Sequence, residues 1–276
     1  MYLRYPAPLW LYDPMAALPE PYVPYPAMPA YPQQAWAGRA PQPELEGGPE
    51  RIGERQPHAE HIDWAGRFPN EVILHGPARK EIALTFDDGP DAYWTPRVLD
   101  DLRELGVKAT FFCIGNRIEA NPDVLRRIVN DGHIVGNHSW NHPNLARIPL
   151  AQAREQIART DNEIARVAGV RPRLLRPPYG ALSEPLIREA IRINKKIILW
   201  NVDSLDWTPI SAEQVAANIL SHAGPGSIVL QHAAGGVGES LQNTVNALPY
   251  VVRTLQSRGY AFRTVPEMLN IPAYGN

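Results

Sequence analysis

From Glu81 to the C-terminus, short apolar runs alternate with helix-length amphipathic segments, and this alternation constrains the fold more than any other feature of the chain. "EIALTF" reads as a first strand, and Thr95 with Pro96 opens the helix "TPRVLDDLREL", closed by Gly106. "KATFFCI" is a second strand, followed by a helix that Asn121-Pro122 starts and Gly132 ends, and "HIVGN" is a third. "LAQAREQIARTDNEIARVAG" sets Leu150, Ile157, Ile164 and Val167 near one face of a long helix. "RLLR", "KKIILWNVD", "SIVLQH" and "YAFRTV" supply strands four to seven, with Ser183 capping one intervening helix and Ser211 and Glu213 starting another. Strands joined through helices run parallel, because the crossover carries the chain back to the same end of the sheet. The pattern predicts an α/β fold, a deformed (β/α) barrel of about seven parallel strands, with a doubly wound open sheet as the alternative.

The first 50 residues break this pattern. They hold 12 of the 29 prolines and six of the 11 tyrosines, and "PEPYVPYPAMPAYP" has neither a helical nor an alternating period. Such a segment cannot build a core and is expected to be an extended or disordered Pro/Tyr-rich arm. The charged, turn-rich "ELEGGPERIGERQPHAEH" continues it as a linker, so residues 1–70 are assigned to arm and linker and 71–276 to the folded domain.

Composition narrows the partner. With 27 Lys and Arg against 29 Asp and Glu, the formal charge of −2 offers no basic footprint for nucleic acid. No apolar run reaches the roughly 18–20 residues of a membrane span, and in "YPAPLWLYDP" prolines and Asp13 interrupt any export-signal core. The single cysteine, Cys113, lies in the apolar run "ATFFCIG" and reads as a buried hydrophobe, not a nucleophile.

Reactive side chains fall at the ends of the strands. Asp87 and Asp88 follow the first, His138 and His142 the third, Arg176 ends the fourth, Asp203 and Asp206 follow the fifth, and His232 ends the sixth. In a parallel barrel all of these meet at the carboxyl face, where such folds carry their chemistry. Singly they have ordinary readings: acids after strands cap turns, histidines four apart are often unrelated, and "WNVDSLDW" can be a strand end with a packed Trp207. Together, two histidines four apart and a carboxylate make a donor set that leaves positions for water, as in catalytic zinc-type sites. Of two adjacent acids, one can then bind the ion and the other accept a proton, while a separate histidine returns one. "HAAGGVGES" lacks the lysine of a phosphate-binding loop and the spacing of a dinucleotide fingerprint, and reads as a mobile active-site loop. His222, His58, His61 and His75 receive no role.

In order over residues 85–232, "TFDDGP", "HSWNH", "RPPYG", "VDSLDW" and "LQH" resemble the five motifs of the NodB-homology polysaccharide deacetylases, carbohydrate esterase family 4. The resemblance covers nearly everything after about residue 70 and none of the arm. It implies the deformed barrel and a metal-dependent hydrolysis that releases acetate from an N-acetylglucosamine-containing polysaccharide, peptidoglycan or chitin-like. Asp88, His138 and His142 would bind one divalent ion, zinc first, with Co, Mn or Fe also accepted. Asp87 would be the general base, held by Arg176, and the backbone N–H of Tyr179 would help stabilise the oxyanion. His232 would be the general acid, paired with Asp206, Asp203 being the alternative partner, while Trp207 and Leu230 would line the slot for the acetyl group and sugar face. Gln231 stands where family members commonly have Met, and Ala233 where they have an acid.

Two other readings follow from the same residues: an O-acetyl esterase on xylan or another glycan, and a catalytically weak glycan-binding envelope or coat protein. Retention of both aspartates, both ligand histidines and His232 opposes the second. The family implies an envelope, spore or extracellular setting, although no signal peptide is read, and the arm could serve as a tether. The chain is expected to be monomeric.

Overall fold

The computed structural model describes residues 62–236 and 238–275, together with Pro43; the rest of the Pro/Tyr-rich arm and Val237 of the glycine-rich loop lie outside the described residues. A short helix α1 (Trp64–Arg67) leads into β1 (Val72–Ile73). Then come β2 (Glu81–Asp87), α2 (Trp94–Glu104), β3 (Thr110–Cys113), α3 (Gly115–Ala120), α4 (Pro122–Asn130), β4 (Ile134–Asn137) and α5 (Leu150–Ala168). Beyond these lie β5 (Arg171–Pro172), β6 (Leu174–Leu175), a 3-10 turn at Pro178–Gly180, α6 (Glu184–Arg192), β7 (Lys196–Ile198) and β8 (Val202–Asp203). The chain ends with α7 (Ala212–His222), β9 (Ser227–His232), α8 (Gln242–Ser257), β10 (Ala261–Phe262), α9 (Val265–Leu269) and β11 (Tyr274–Gly275).

The main sheet has the order β1-β7-β6-β4-β3-β2-β9-β8, with β10 also on β2, and every pairing in it is parallel. All seven expected strands are present. The run "KKIILWNVD" divides into β7, which pairs with β6, and β8, which pairs with β9, so one stretch of chain reaches both flanks and curls the sheet into an incomplete barrel. The additional strands are two residues long: β1 beside β7, and a separate antiparallel pair of β5 with β11. Trp64 packs into a core cluster with Leu145, Leu182, Leu186 and Ile197, so packing begins ahead of residue 71.

Alternation along the strands builds two layers. Leu84 and Phe86 of β2 face the helices, against Val98, Leu99 and Leu102 of α2 and Val251 and Leu255 of α8. Ala83, Phe112, Leu174, Ile198 and Ile228 point inward and form an apolar plug with Val265 and Met268 of α9. Beyond this plug the inward positions turn polar, with Thr85 and then Asp87 on β2, both buried. The interior is thus sealed at the end where the strands begin and reactive where they finish.

Two helix starts follow the sequence reading, since Ser183 and Ser211 accept from the N–H groups of Leu186 and Gln214 at 3.4 and 3.3 Å. At α2 the cap is different: Asp91 Oδ1 accepts from the N–H groups of Tyr93, Trp94 and Thr95 at 3.0, 2.6 and 2.8 Å. Thr95 Oγ1 instead accepts from the Asp91 N–H and donates to the Ala233 carbonyl, each at 2.9 Å, tying the turn after β2 to the loop after β9.

His133 is buried, with Nδ1 accepting from the Ala109 N–H at 3.1 Å. Burial, helped by the charges of Lys108 and Arg127, pushes its imidazole down to about 4 from an ordinary 6.5. The unfolded chain therefore binds a proton here that the folded chain refuses, so stability is complete above pH 6.5 and falls as pH drops toward 4, by about 3 kcal/mol. His133→Asn keeps an acceptor for Ala109 and removes the titration. Chemical denaturation between pH 7 and 4 should show a flatter acid limb in this variant than in the wild type, and parallel limbs would contradict the assignment.

Candidate active site

The chain reverses sharply after β2, where Asp88 takes a left-handed backbone (φ 69°) ahead of Gly89-Pro90. The two adjacent carboxylates are thereby sent to different partners. Asp87 Oδ1 accepts from Arg176 Nη1 at 2.8 Å, whereas Asp88 Oδ1 lies 3.4 Å from the Nε2 atoms of both His138 and His142. Arg176 is fully buried; it also donates to Thr85 Oγ1 (2.8 Å), the Ile198 carbonyl (2.9 Å) and the Leu199 carbonyl (3.0 Å), and lies over the Phe112 ring at 4.2 Å. Its guanidinium crosses the barrel interior and fixes Asp87 from the far side.

The histidines sit on the loop after β4. His138 Nδ1 is 2.6 Å from the Arg176 carbonyl, which can only accept, so the ring proton is on Nδ1 and Nε2 presents a lone pair. Ser139 and His142 adopt φ values of 69° and 63°, held by Asn137 Oδ1 accepting from Ser139 N–H (2.8 Å) and Ser139 Oγ from His142 N–H (3.1 Å). Gln156 of α5 accepts from the N–H groups of Trp140 and Asn141, and the Tyr179 ring packs edge-on against His142 at 4.7 Å.

This arrangement calls for a cation. Asp88 Oδ1 and His138 Nε2 are buried, have no hydrogen-bond partner among the described residues, and face each other as two acceptors. Donor atoms of Asp88, His138 and His142 lie within 4.8 Å of one another, all buried. One hard oxygen and two imidazole nitrogens suit a divalent ion of the zinc type. The electrostatics agree: burial would raise the Asp88 carboxyl, yet His142 and His138 hold it well below the usual carboxylate range. Burial likewise opposes a charge on His138, but Asp87 and Asp88 raise its affinity for a proton.

His232 ends β9 in register with Asp87 on β2. Its Nδ1 lies 2.8 Å from Asp206 Oδ1, its N–H donates to Asp206 Oδ2 at 2.9 Å, and Thr244 Oγ1 donates to the same oxygen at 2.7 Å. A carboxylate on Nδ1 keeps that proton in place and leaves Nε2 as the exchanging nitrogen. Asp203 is elsewhere: its carboxylate accepts from the Leu205 N–H at 3.0 Å, as a turn cap. Leu230 is buried and shares the inward face of β9 with His232, while Trp207 is half-buried beside Asp206. Tyr179 has φ 63° in the turn after Pro177 and Pro178. Gln231 lies on the opposite face of β9, and Ala233 is buried with its N–H on the Asp87 carbonyl at 2.9 Å. In the glycine-rich loop the Gly236 N–H donates to Glu239 at 2.7 Å. Cys113 is buried, and burial pushes its thiol up, as an inert side chain requires.

A family model described as polysaccharide deacetylase matches residues 75–198. A peptidoglycan-N-acetylglucosamine deacetylase of Bacillus cereus is 43% identical over 208 residues, which cover 75% of this chain and 74% of that protein. The chain belongs to the polysaccharide deacetylase family. Among solved members, the Bc1960 peptidoglycan N-acetylglucosamine deacetylase superposes with a TM-score of 0.74 at 38% identity, covering 78% of this chain and all of that one. A family pseudoenzyme of Bacillus anthracis, BA3943, superposes at 0.67 with 29% identity over 72% of this chain and 68% of its own. The family therefore includes proteins of this shape without the activity, and the residues have to decide.

Apoprotein is expected to take up one divalent ion per chain, and Asp88→Ala to weaken binding on the order of a hundredfold or more. Competition against a chromogenic chelator measures this; an Asp88→Ala variant that binds as tightly as wild type would remove Asp88 from the ligand set.

Proposed function

We propose that this chain is a metal-dependent hydrolase that removes acetyl groups from N-acetylglucosamine-containing polysaccharide, peptidoglycan or a chitin-like polymer, releasing acetate. The reading is carried by the separation of two neighbouring acids, Asp88 joining His138 and His142 while Asp87 is clamped by Arg176 beside them. Asp88, His138 and His142 would hold one divalent ion, zinc first, with cobalt, manganese or ferrous iron suited to the same donors, and it would supply Lewis acidity and lower the pKa of a water. Asp87 acts as the general base, accepting a proton from the water that attacks the acetyl carbonyl carbon. Arg176 holds Asp87 correctly turned. The backbone N–H of Tyr179 donates to the developing oxyanion, and Trp207 and Leu230 form the apolar lining. His232, steadied by Asp206, gives its Nε2 proton to the amine as the C–N bond breaks.

The likeness to the Bacillus cereus enzyme favours N-acetylglucosamine of peptidoglycan as substrate, and with it a site of action at the cell envelope. No helix among the described residues is long and apolar enough to cross a membrane. Presence of both acids, both ligand histidines and the Asp206–His232 pair supports catalysis over glycan binding alone.

The test is acetate release from chitin oligomers, peptidoglycan and acetylated xylan, measured before and after chelation and zinc restoration. Chelator-sensitive release from an amide substrate is expected, with Asp87→Asn lowering kcat by roughly 10²–10⁴-fold while retaining the ion. Release from xylan alone would move the activity to an O-acetyl esterase. Silence from folded, metal-loaded protein on all three would favour the binding-protein reading.

A further inference from the structure

The paired acids, the two ligand histidines and His232 lie at the ends of β2, β4 and β9 or in the loops that follow, and the short helix α3 bonds to all three of those loops. Its Gly115 and Asn116 N–H groups donate to the Ser139 and Trp140 carbonyls of the histidine loop at 3.0 and 2.9 Å. A Cβ at Gly115 would fall 2.3 Å from the Trp140 ring, so only glycine lets that loop sit so close. Arg117, two residues on, is fully buried. Its Nη1 donates to the backbone carbonyl of Asp88 at 2.9 Å and its Nη2 to the carbonyl of Gly235, three residues past His232, at 2.6 Å. Asn121 adds hydrogen bonds to the carbonyls of Pro90 and of Arg117 itself, at 3.3 and 3.1 Å.

A buried guanidinium is costly, and neutral donors could satisfy two carbonyls. The charge has a use here because it is placed beside the paired acids: Arg176 binds the side chain of Asp87, and Arg117 grips the backbone of Asp88. We infer that Arg117 is a positioning residue, which holds the left-handed Asp88 turn and the loop beyond His232 in one frame and so sets the spacing between the metal ligands and the general acid. The inference rests on the reading of Asp88 as a ligand.

Divalent-ion affinity, kcat and KM of Arg117→Met and Arg117→Lys in the full chain test it, with zinc as the ion, chitin oligomers as substrate and thermal unfolding as the folding control. Arg117→Met should bind zinc about 10–100-fold more weakly, as loss of an outer support does. At saturating zinc its kcat should fall about tenfold or more with KM within about twofold, because positioning acts on the reacting geometry. Arg117→Lys should recover part of both losses. A folded Arg117→Met with wild-type zinc affinity and kcat would overturn the inference. If that variant does not fold, Arg117→Lys decides: weakened zinc binding supports the inference and unchanged binding overturns it. A wild-type chain that binds no zinc would overturn the inference together with the site reading, which separates the two failures.

Discussion

The buried ion pair of Arg176 and Asp87 is the interaction on which the site depends. The guanidinium orients the Asp87 carboxylate, and it is itself held by acceptors on β2, β7 and the segment after β7. The same residue's carbonyl fixes the tautomer of His138. One arginine therefore fixes both the acid proposed as general base and a histidine of the candidate metal site. Pairs of this kind add little net stability, but removing one partner strands a buried charge at a cost of about 3–5 kcal/mol, so the geometry tolerates no half-measure.

The barrel makes this pair possible by excluding water from below. The plug of Ala83, Phe112, Leu174, Ile198, Ile228, Val265 and Met268 lies under the polar layer, and in that low dielectric each charge acts strongly on its neighbours. Strain collects at the same end. Asp88, Ser139, His142 and Tyr179 all have left-handed backbones, and Leu205, in the loop carrying Asp206, is another. Such residues cost on the order of 1–3 kcal/mol each and persist where the surroundings over-determine them. Here they aim side chains and carbonyls that a regular turn would point elsewhere.

Much of this was legible in the sequence, and the gaps have physical causes. Long strands with apolar runs were readable, whereas β1, β5 and β11, at two residues each, carry no period. The division of "KKIILWNVD" into β7 and β8 depends on which strand lies beside each half, and no local pattern records that. At α2, Asp91 takes the cap ahead of the Thr95-Pro96 signal because its carboxylate reaches three successive N–H groups. Reactive residue types at strand ends pointed to the site, but their supports did not stand out. Thr244 is 38 residues from Asp206 and Arg117 is 118 from Gly235, so their roles exist only in the folded chain. The short helix of "GNRIEA" carries no signal that its Arg117 is buried.

The proposed mechanism divides the labour between adjacent acids, Asp88 on the ion and Asp87 on the proton. Anomalous diffraction from crystals of the metal-loaded protein tests it most directly. One strong peak is expected at about 2.0–2.2 Å from Asp88 Oδ1 and the Nε2 atoms of His138 and His142, with Asp87 still on Arg176. A peak coordinated by Asp87 instead of Asp88, or one seated on His232, would contradict it.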